Sequence, residues 1–192
     1  AGNQSVVQSI KYSINTFPLN LTNKWRMFAV NSEITDLSIF NGADIRKYNH
    51  STGQYETVTD KLVPDEGYWV KATQDMELDL PIGDFDQTQS VAYNEGFGLV
   101  SGYFLKYQNQ LKLSDGATTK NLTEAINAGW LKYMAYYYDN DVYNGLNLLS
   151  MTQNDVLGRS FWIRLYKPLT ISFDGSWKIP PQQLTSEIPK IN

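Results

Sequence analysis

The chain contains no cysteine and only one histidine among its 192 residues. The lack of cysteine excludes disulfide bridges, a thiolate nucleophile and cysteine-ligated zinc or iron–sulfur centres. With His50 as the single imidazole, a histidine cluster around zinc or haem is excluded too, and a serine–histidine–aspartate triad would have to use this residue. His50 lies in the polar sequence Asn49–Gly53, for which we expect a turn, so a role as catalytic base is not predicted.

Long apolar runs and dense basic clusters are also missing. No apolar stretch reaches the ~18 residues from which a membrane-spanning helix is predicted, so we expect no membrane span. Lysine and arginine total 16 against 20 acidic residues, which gives a net charge of −4. Without a positive patch to neutralise phosphates, nucleic acid is not expected as a partner. Hydrophobic residues make up 42% and charged residues 19% of the chain, a balance typical of a globular protein.

Aromatic residues, in contrast, are abundant: 13 Tyr, 8 Phe and 5 Trp. Polar turn-forming residues supply much of the remainder, and this composition favours strands joined by turns. It is also typical of secreted bacterial surface modules. The first residues, Ala1–Asn3, lack the basic and apolar parts of a signal peptide, as expected of a mature or excised piece.

Two segments 93 residues apart match position by position. Gly67–Ala72 and Ser160–Leu165 both follow the order small, aromatic, Trp, β-branched, cation, apolar, and each is followed at the same distance by a second strand-like run. We therefore predict a duplicated β unit. Unit one spans residues 1–84 and unit two spans residues 85–192, with the boundary in a segment that contains Pro and Gly.

The match extends upstream with gaps. Trp25–Val30 corresponds to Phe97–Gly102, 72 residues later. Unit two is longer, and we predict that its insertion near residues 102–120 is a hairpin formed by Tyr103–Tyr107 and Gln110–Leu113. The expected fold is mainly β with one or two short helices, in two related units packed side by side.

Capping patterns indicate where the helices begin. In unit one, Asp36 opens a helical turn that Asn41 and Gly42 end. In unit two, Asn121 with Glu124 forms a capping box. The pattern leaves open whether that second helix continues through residues 130–138.

Four motifs occur in order in unit one: Leu21 to Trp25, Ile34 to Ser38, Tyr48 to Tyr55 and Pro64 to Ala72. This order, with its Gly-Tyr-Trp-Val-Lys signature, resembles a β-rich repeat found in secreted and cell-surface bacterial proteins, beside proteases, adhesins or immunoglobulin-like domains. Unit two matches less fully because it lacks the Pro. The resemblance implies an extracellular or cell-surface location and modular use, and it transfers no catalytic residue.

Alternation along a strand places Trp69 with Lys71 on one face, and Trp162 with Arg164 on one face of the matching strand. An indole can stack against a sugar ring while a cation donates hydrogen bonds to its hydroxyls, so these four residues are candidate ligand-binding residues. The alternative is that each indole is half buried beneath the stem of the neighbouring cation. The opposite faces of both strands are expected to lie in the core.

Tyr136, Tyr138 and Tyr143 belong to the densest aromatic cluster and are further candidates, because tyrosine combines contact area with a hydroxyl. A structural role, with the rings inside and the hydroxyls in water, is the alternative. Asp139 and Asp141 are weak candidates for calcium. Their spacing departs from the EF-hand pattern because Tyr143 occupies the third ligand position, so a solvated turn is favoured there. No other cofactor is predicted.

The function we expect is a non-catalytic extracellular binding or adhesion module, with a glycan or another cell-surface ligand as partner. One alternative is a structural spacer or accessory domain that contacts only neighbouring domains of a larger surface protein. The other is a glycoside-acting enzyme, which requires two carboxyls in a cleft. Glu56, Asp60, Glu66 and Glu95 all lie in polar turn sequence, where no pair is singled out. Exposed, co-facial indoles would favour binding, and buried indoles would favour the spacer.

Overall fold

The computed structural model describes residues 16–81 and 88–173. The strands are β1 (Thr16–Leu21), β2 (Arg26–Phe28), β3 (Asp44–Asn49), β4 (Gln54–Thr57), β5 (Tyr68–Lys71), β6 (Met76–Pro81), β7 (Ser90–Tyr93), β8 (Gly96–Ser101), β9 (Leu111–Ser114), β10 (Thr119–Lys120), β11 (Leu131–Asp139), β12 (Val142–Asn147), β13 (Ser160–Leu165) and β14 (Leu169–Phe173). The α-helices are α1 (Gly102–Lys106), α2 (Leu122–Asn127) and α3 (Gln153–Val156), and 3-10 turns lie at Leu37–Phe40 and Gln108–Gln110. Residues Ala1–Asn3 and the predicted unit boundary between 84 and 85 lie outside the described residues.

The strands form antiparallel sheets, which confirms the prediction of a mainly β fold. Unit one contributes a sheet of order β2-β5-β3-β4 and the pair β1-β6. Unit two contributes sheets of order β8-β13-β11-β12 and β10-β9-β14-β7. Among the described residues, each of these sheets draws its strands from one unit alone.

The sheets of the two units follow the same order. Strands β2, β5, β3 and β4 correspond in sequence to β8, β13, β11 and β12, and the latter pair with one another in the same arrangement. The second sheets agree as well, since β6 pairs with β1 and β14 pairs with β7. The matching segments Gly67–Ala72 and Ser160–Leu165 therefore occupy the same place in their sheets. Descent from one duplicated ancestor stays a prediction.

Alternation along β5 and β13 explains which face of each sheet is buried. Tyr68 and Val70 are fully buried in the core of unit one, and Phe161 and Ile163 are buried in the core of unit two. Each unit thus packs its own large aromatic and β-branched side chains between its two sheets. The opposite faces of β5 and β13 remain for contacts between the units and with solvent.

The local helix signals were predicted more accurately than the insertion. The Asp36 side chain accepts from the Ser38 amide, and Asn41 ends the turn in the left-handed region. The Asn121–Glu124 capping box is present in full. The segment that the sequence left undecided, residues 130–138, continues as strand β11 and not as helix. None of the helices within the described ranges is long and apolar enough to cross a membrane.

The predicted hairpin in the insertion was partly wrong. Its first strand, Tyr103–Tyr107, is mostly helix α1, because three consecutive side chains from Tyr103 to Leu105 are all buried and a strand would turn every second one outward. Ser101 caps this helix by accepting from the Tyr103 amide. The hairpin consists instead of β9 and β10, and it reverses at Asp115–Thr118, where the Asp115 carboxylate accepts from two backbone amides.

The two units touch through equivalent residues. The Ser160 hydroxyl donates to the Tyr68 carbonyl oxygen at 3.2 Å. A Cβ atom placed on Gly67, which matches Ser160 in the repeat, would lie 2.8 Å from the Ser160 Cβ. Because matching positions approach each other here, the units are related as if by a local twofold axis. Only a glycine at position 67 leaves room for this close approach.

Candidate functional site

A pocket of about 700 Å³ opens along the junction between the units. We call it the large pocket, and it is lined by seven aromatic and two cationic side chains. These are Tyr48, Tyr55, Phe97, Lys132, Tyr136, Tyr143, Trp162, Arg164 and Tyr166. Its volume falls within the range of about 300–1,000 Å³ that is usual for small-molecule sites.

A second pocket of about 280 Å³ lies beside the first. We call it the small pocket, and its lining residues are Trp25, Arg46, Tyr55, Trp69 and Tyr138. Tyr55 lines both pockets, so the two are neighbours on one surface of the protein.

Strand register shows that the two pockets are counterparts. Trp69 pairs with Met27 and Arg46, whereas Trp162 pairs with Leu99 and Tyr136. Counting along the strands from these pairs gives a counterpart for every residue of the small pocket. Trp25, Arg46, Tyr55, Trp69 and Tyr138 correspond in that order to Phe97, Tyr136, Tyr143, Trp162 and Tyr48, all of which line the large pocket.

Each pocket is completed by a tyrosine from the other unit. The Trp69 ring of unit one lies 5.3 Å from the Tyr138 ring of unit two, and the Trp162 ring of unit two lies 5.0 Å from the Tyr48 ring of unit one. The reciprocal contacts follow from the local twofold relation. Both pockets therefore depend in part on how the two units pack.

The pockets differ in exposure. Phe97, Tyr143 and Tyr166 of the large pocket are each about half exposed, at 54%, 56% and 50%, and so is Tyr55, which lines both pockets, at 49%. Trp69 of the small pocket is only 9% exposed and packs in a cluster with Met27 and Leu99. Apolar side chains seldom gather on a surface without a partner, so the large pocket has the character of a binding surface.

Tyrosine hydroxyls provide the polar groups of the large pocket. Burial raises the pKa of Tyr55 and of Tyr143, so both hydroxyls stay protonated and can donate as well as accept hydrogen bonds. The Trp69 indole opposes part of the shift at Tyr55, yet its buried Nε1 atom is not in hydrogen-bond geometry with any described residue. Because this donor is buried, water does not reach it, and leaving it unpaired costs free energy.

The cations are arranged differently in the two pockets. Lys132 donates to the Tyr136 hydroxyl at 3.1 Å, and this hydrogen bond raises the pKa of the lysine. The Arg164 guanidinium lies 5.3 Å from the centre of the Phe97 ring. In the small pocket, Arg46 lies over Trp25 but is held by Asp44 in an ion pair of 2.6 Å.

The structure gathers six of the seven candidate ligand-binding residues at these pockets. Four line the large pocket: Tyr136, Tyr143, Trp162 and Arg164. Trp69 and Tyr138 line the small pocket. Lys71 lies apart from both and borders a separate depression beside Asp44 and Thr73. We expected each indole to share a site with the cation two residues later. Among the described pockets, this holds for Trp162 and Arg164 in unit two but not for Trp69 and Lys71 in unit one.

The weak calcium candidates lie in a tight hairpin turn between β11 and β12. Asn140 and Asp141 adopt the left-handed conformation typical of a two-residue turn. Asp141 forms an ion pair of 2.6 Å with Lys24, and Asp139 lies 3.8 Å from Arg26. Among the described residues, no group of three or more acidic or histidine side chains could hold a metal ion.

Carboxylates are not found among the residues that line the large and small pockets, all of which lie in the described ranges. Asp65 and Glu66 instead line a separate cavity of about 70 Å³ together with His50. Glu66 accepts from the Tyr68 hydroxyl at 3.1 Å and lies 3.5 Å from Lys47. Two carboxyls flanking a sugar bond, as glycoside hydrolysis requires, are therefore not placed at either aromatic pocket.

Several lining residues were not predicted, although the sequence holds signals for some of them. Trp25 and Phe97 are aligned by the 72-residue offset. Tyr48 and Tyr55 flank a polar turn, as Tyr138 and Tyr143 do. These tyrosines pair across their hairpins, so the spacing of two tyrosines around a turn was the usable signal. Tyr166 follows Trp162 and Arg164 at two-residue spacing, so strand alternation predicts it on the same face. Lys132 carries no comparable pattern.

No protein-family model matches the chain, and neither a curated protein nor a solved structure matches it. Function is therefore inferred from the residues and the geometry of the two pockets.

Proposed function

We propose that this protein is a non-catalytic carbohydrate-binding module of a secreted or cell-surface bacterial protein, with the large pocket as its principal site. The observation that supports the proposal most is the gathering of Tyr48, Phe97, Tyr143, Trp162 and Tyr166 around one open pocket at the junction of the units.

The chemistry of the lining suits a sugar better than a purely apolar ligand. A pyranose ring presents apolar C–H faces that stack on flat aromatic rings and hydroxyls that need hydrogen-bond partners. The large pocket offers both, because Trp162 and Phe97 supply ring faces while the Tyr136 and Tyr143 hydroxyls and the Lys132 ammonium group supply polar atoms. A fatty or sterol ligand would displace water from these polar groups without offering hydrogen bonds in return, at a cost in affinity.

The resemblance of the Gly67–Lys71 signature to repeats of secreted and cell-surface proteins supports the proposed location. Its role in the fold also fits modular use. Gly67 allows the units to approach, Tyr68 and Val70 fill the core, and Trp69 faces the second unit. The motif thus serves packing, and a pocket forms where the two units pack against each other.

A structural spacer is the second candidate, and the burial of Trp69 favours it. Trp69, Met27 and Leu99 form a buried cluster that joins the units without need of a ligand. In that role the protein would connect neighbouring domains of a larger surface protein, and its aromatic residues would serve rigidity alone. The half-exposed rings of the large pocket have no function in this account.

A glycan array followed by isothermal titration calorimetry tests the proposal. The wild-type protein is screened against neutral and acidic plant, microbial and animal saccharides, with calcium and with a chelator. Tyr143→Ala and Trp162→Ala are then titrated with the strongest ligand found. We expect each substitution to weaken binding by about tenfold or more, because each removes an aromatic face of the pocket.

Tyr133→Ala is the matched control. Tyr133 lies on β11, is 51% exposed and lines neither pocket, so it matches Tyr143 in residue type and exposure. Its removal is expected to leave binding unchanged. Silence across the whole array, or equal losses from Tyr143→Ala and Tyr133→Ala, would contradict the proposal and favour the spacer.

A further inference from the structure

The charge of the large pocket is opposite to that of the chain. The protein as a whole carries a net charge of −4. The charged residues that line the large pocket are Lys132 and Arg164, and both are cations. In a protein with more acidic than basic residues, two cations without an acidic neighbour in one pocket require an explanation.

At least six of the eleven other lysines and arginines in the described ranges are paired with a carboxylate. Lys24, Arg26, Arg46, Lys47, Lys61 and Lys167 all lie within 4 Å of a carboxylate. For Lys132 and Arg164 no such carboxylate exists among the described residues; their neighbours are the Tyr136 hydroxyl and the faces of Phe97 and Tyr166.

Comparison with the small pocket shows that this charge is specific to one site. The cation of the small pocket, Arg46, is neutralised by Asp44 through hydrogen bonds of 2.6–3.1 Å. The counterpart of Arg164 in unit one is Lys71, which lies outside the small pocket. Two pockets of the same design thus differ in that only the large one offers uncompensated positive charge.

From these observations we infer that the ligand of the large pocket is an acidic saccharide, whose carboxylate or sulfate group pairs with Arg164 and Lys132 while its rings stack on Trp162 and the neighbouring tyrosines. This inference rests on the proposed carbohydrate-binding function and specifies its ligand class. The Arg164 guanidinium lies 5.3 Å from the centre of the Phe97 ring and is not held by a carboxylate of the described residues, so its N–H groups remain for an oxyanion, and such charge-assisted hydrogen bonds are stronger than those to neutral oxygens. A neutral sugar could accept hydrogen bonds from both cations but would leave their charge uncompensated.

Matched pairs of saccharides test the inference directly. An oligomer of galacturonic acid is compared with its methyl-esterified form, which has the same backbone but no charge. A sulfated galactose oligomer is compared in the same way with its desulfated form, so that carboxylate and sulfate are distinguished. We expect the charged member of at least one pair to bind about tenfold more tightly, and the difference to shrink as salt is raised.

Variants assign the preference to the two cations. Arg164→Gln and Lys132→Gln, singly and together, are expected to remove the preference for the charged oligomer while keeping residual binding of the neutral one. Lys71→Gln, the substitution at the counterpart of Arg164, removes the same charge outside the pocket and is expected to change nothing. Unfolding curves for all variants check that each is folded.

The outcomes separate the two proposals. If neutral and charged saccharides bind equally, or if the preference survives in the double variant, the acidic-ligand inference is overturned while the carbohydrate-binding function stands. If no saccharide binds, both are overturned. Tighter binding of a single-stranded oligonucleotide than of any saccharide would likewise overturn both, because stacking on aromatic rings beside cations also suits nucleic acid bases.

Discussion

The large and small pockets are built from corresponding strands in the same order, yet solvent reaches them to very different extents. Trp69 of the small pocket is 9% exposed and belongs to a buried cluster. Its counterpart Trp162 is only partly buried and faces a pocket more than twice as large. The same motif thus packs the units together at one position and borders an open surface at the other.

Substitutions around the pockets account for part of the difference. Arg46 of the small pocket lies over Trp25 and is bound to Asp44, whereas its counterpart in the large pocket, Tyr136, is an aromatic residue whose hydroxyl accepts from Lys132. Gly145, which pairs with Tyr136 across β11 and β12, lies directly beside the Tyr136 ring. A motif that recurs in a chain therefore need not have the same role twice, and the neighbours of each copy decide it.

The largest expected contrast is between the two indoles. Trp69→Ala should destabilise the protein by about 3–5 kcal/mol, the usual cost of removing a large buried aromatic side chain. Trp162→Ala should cost about 1–2 kcal/mol, because only part of its surface is removed from water. Urea unfolding of both variants, monitored by circular dichroism, measures the difference. Equal losses would show that both indoles serve packing alone.

The local twofold relation predicts a coupling between residues 67 and 160. Gly67→Ser should destabilise the protein by about 1–3 kcal/mol, since its new side chain would press against Leu99 and Ser160. Ser160→Gly should cost about 1 kcal/mol through the lost hydrogen bond to the Tyr68 carbonyl.

The double variant, which exchanges the two residues, should be more stable than the sum of the single changes predicts, because removal of the Ser160 side chain makes room for the new one. Chemical unfolding of the four proteins gives the coupling energy. Strictly additive losses would contradict the close approach of the two units at this point.

Features that depend on residues close together in the sequence could be predicted, and features that depend on contacts between distant residues could not. Strands β5 and β13, the Asp36 cap and the Asn121–Glu124 capping box depend on neighbours within a few residues and were predicted correctly. Helix α1 was not, because its three consecutive buried residues pack on elements distant in sequence. Local patterns cannot reveal such contacts.

The candidate site shows the same limit. Trp162, Tyr136 and Tyr143 stood out as aromatic residues in repeated or dense patterns, and they line the large pocket. That Tyr48 of unit one would complete the pocket of unit two follows only from how the units pack. Lys71 does not line the small pocket, and this too depends on packing. Alternation along a strand predicts on which face of the sheet a side chain lies, but not which residues of other elements surround it.

Smaller effects on stability are expected at the hairpin turns of the two units. The first is a pH dependence in the turn of unit one. His50, in the turn of unit one, packs against the rings of Tyr48 and Tyr93, and burial lowers its pKa below 6.5, although Glu66 opposes the shift. Since the unfolded chain binds the proton more readily, this contribution to stability is present above pH 6.5 and is lost as the pH falls through the lower folded-state pKa.

Thermal unfolding between pH 5 and 7.5 measures this effect as the difference between the wild type and His50→Gln. The wild type should lose stability on acidification more steeply than the variant, whose glutamine does not titrate. Lys47, Asp65 and Glu66 line the same cavity and are present in both proteins, so the lining of this cavity differs between the two only at position 50. Parallel curves would show that the imidazole contributes nothing to the pH dependence.

The smallest effect is expected at the turn of unit two. Asp141 is about half exposed and pairs with Lys24, an arrangement that contributes little to stability in water. Asp141→Asn should therefore leave the melting temperature nearly unchanged, and neither calcium nor a chelator should alter saccharide binding. A clear rise of melting temperature with calcium in the wild type, lost in Asp141→Asn, would instead assign a calcium site to this turn.

The most direct test of the central claim, that the large pocket around Trp162 binds a saccharide, is a titration followed by two-dimensional nuclear magnetic resonance of the tryptophan side chains. The chain has five tryptophans, and single Trp→Phe variants assign their indole N–H signals. Trp130, 7% exposed and buried in the core of unit two, is the internal reference. We predict that the acidic oligosaccharide shifts the Trp162 signal strongly and leaves that of Trp130 in place. Saturable binding that leaves the Trp162 signal unmoved would contradict the account.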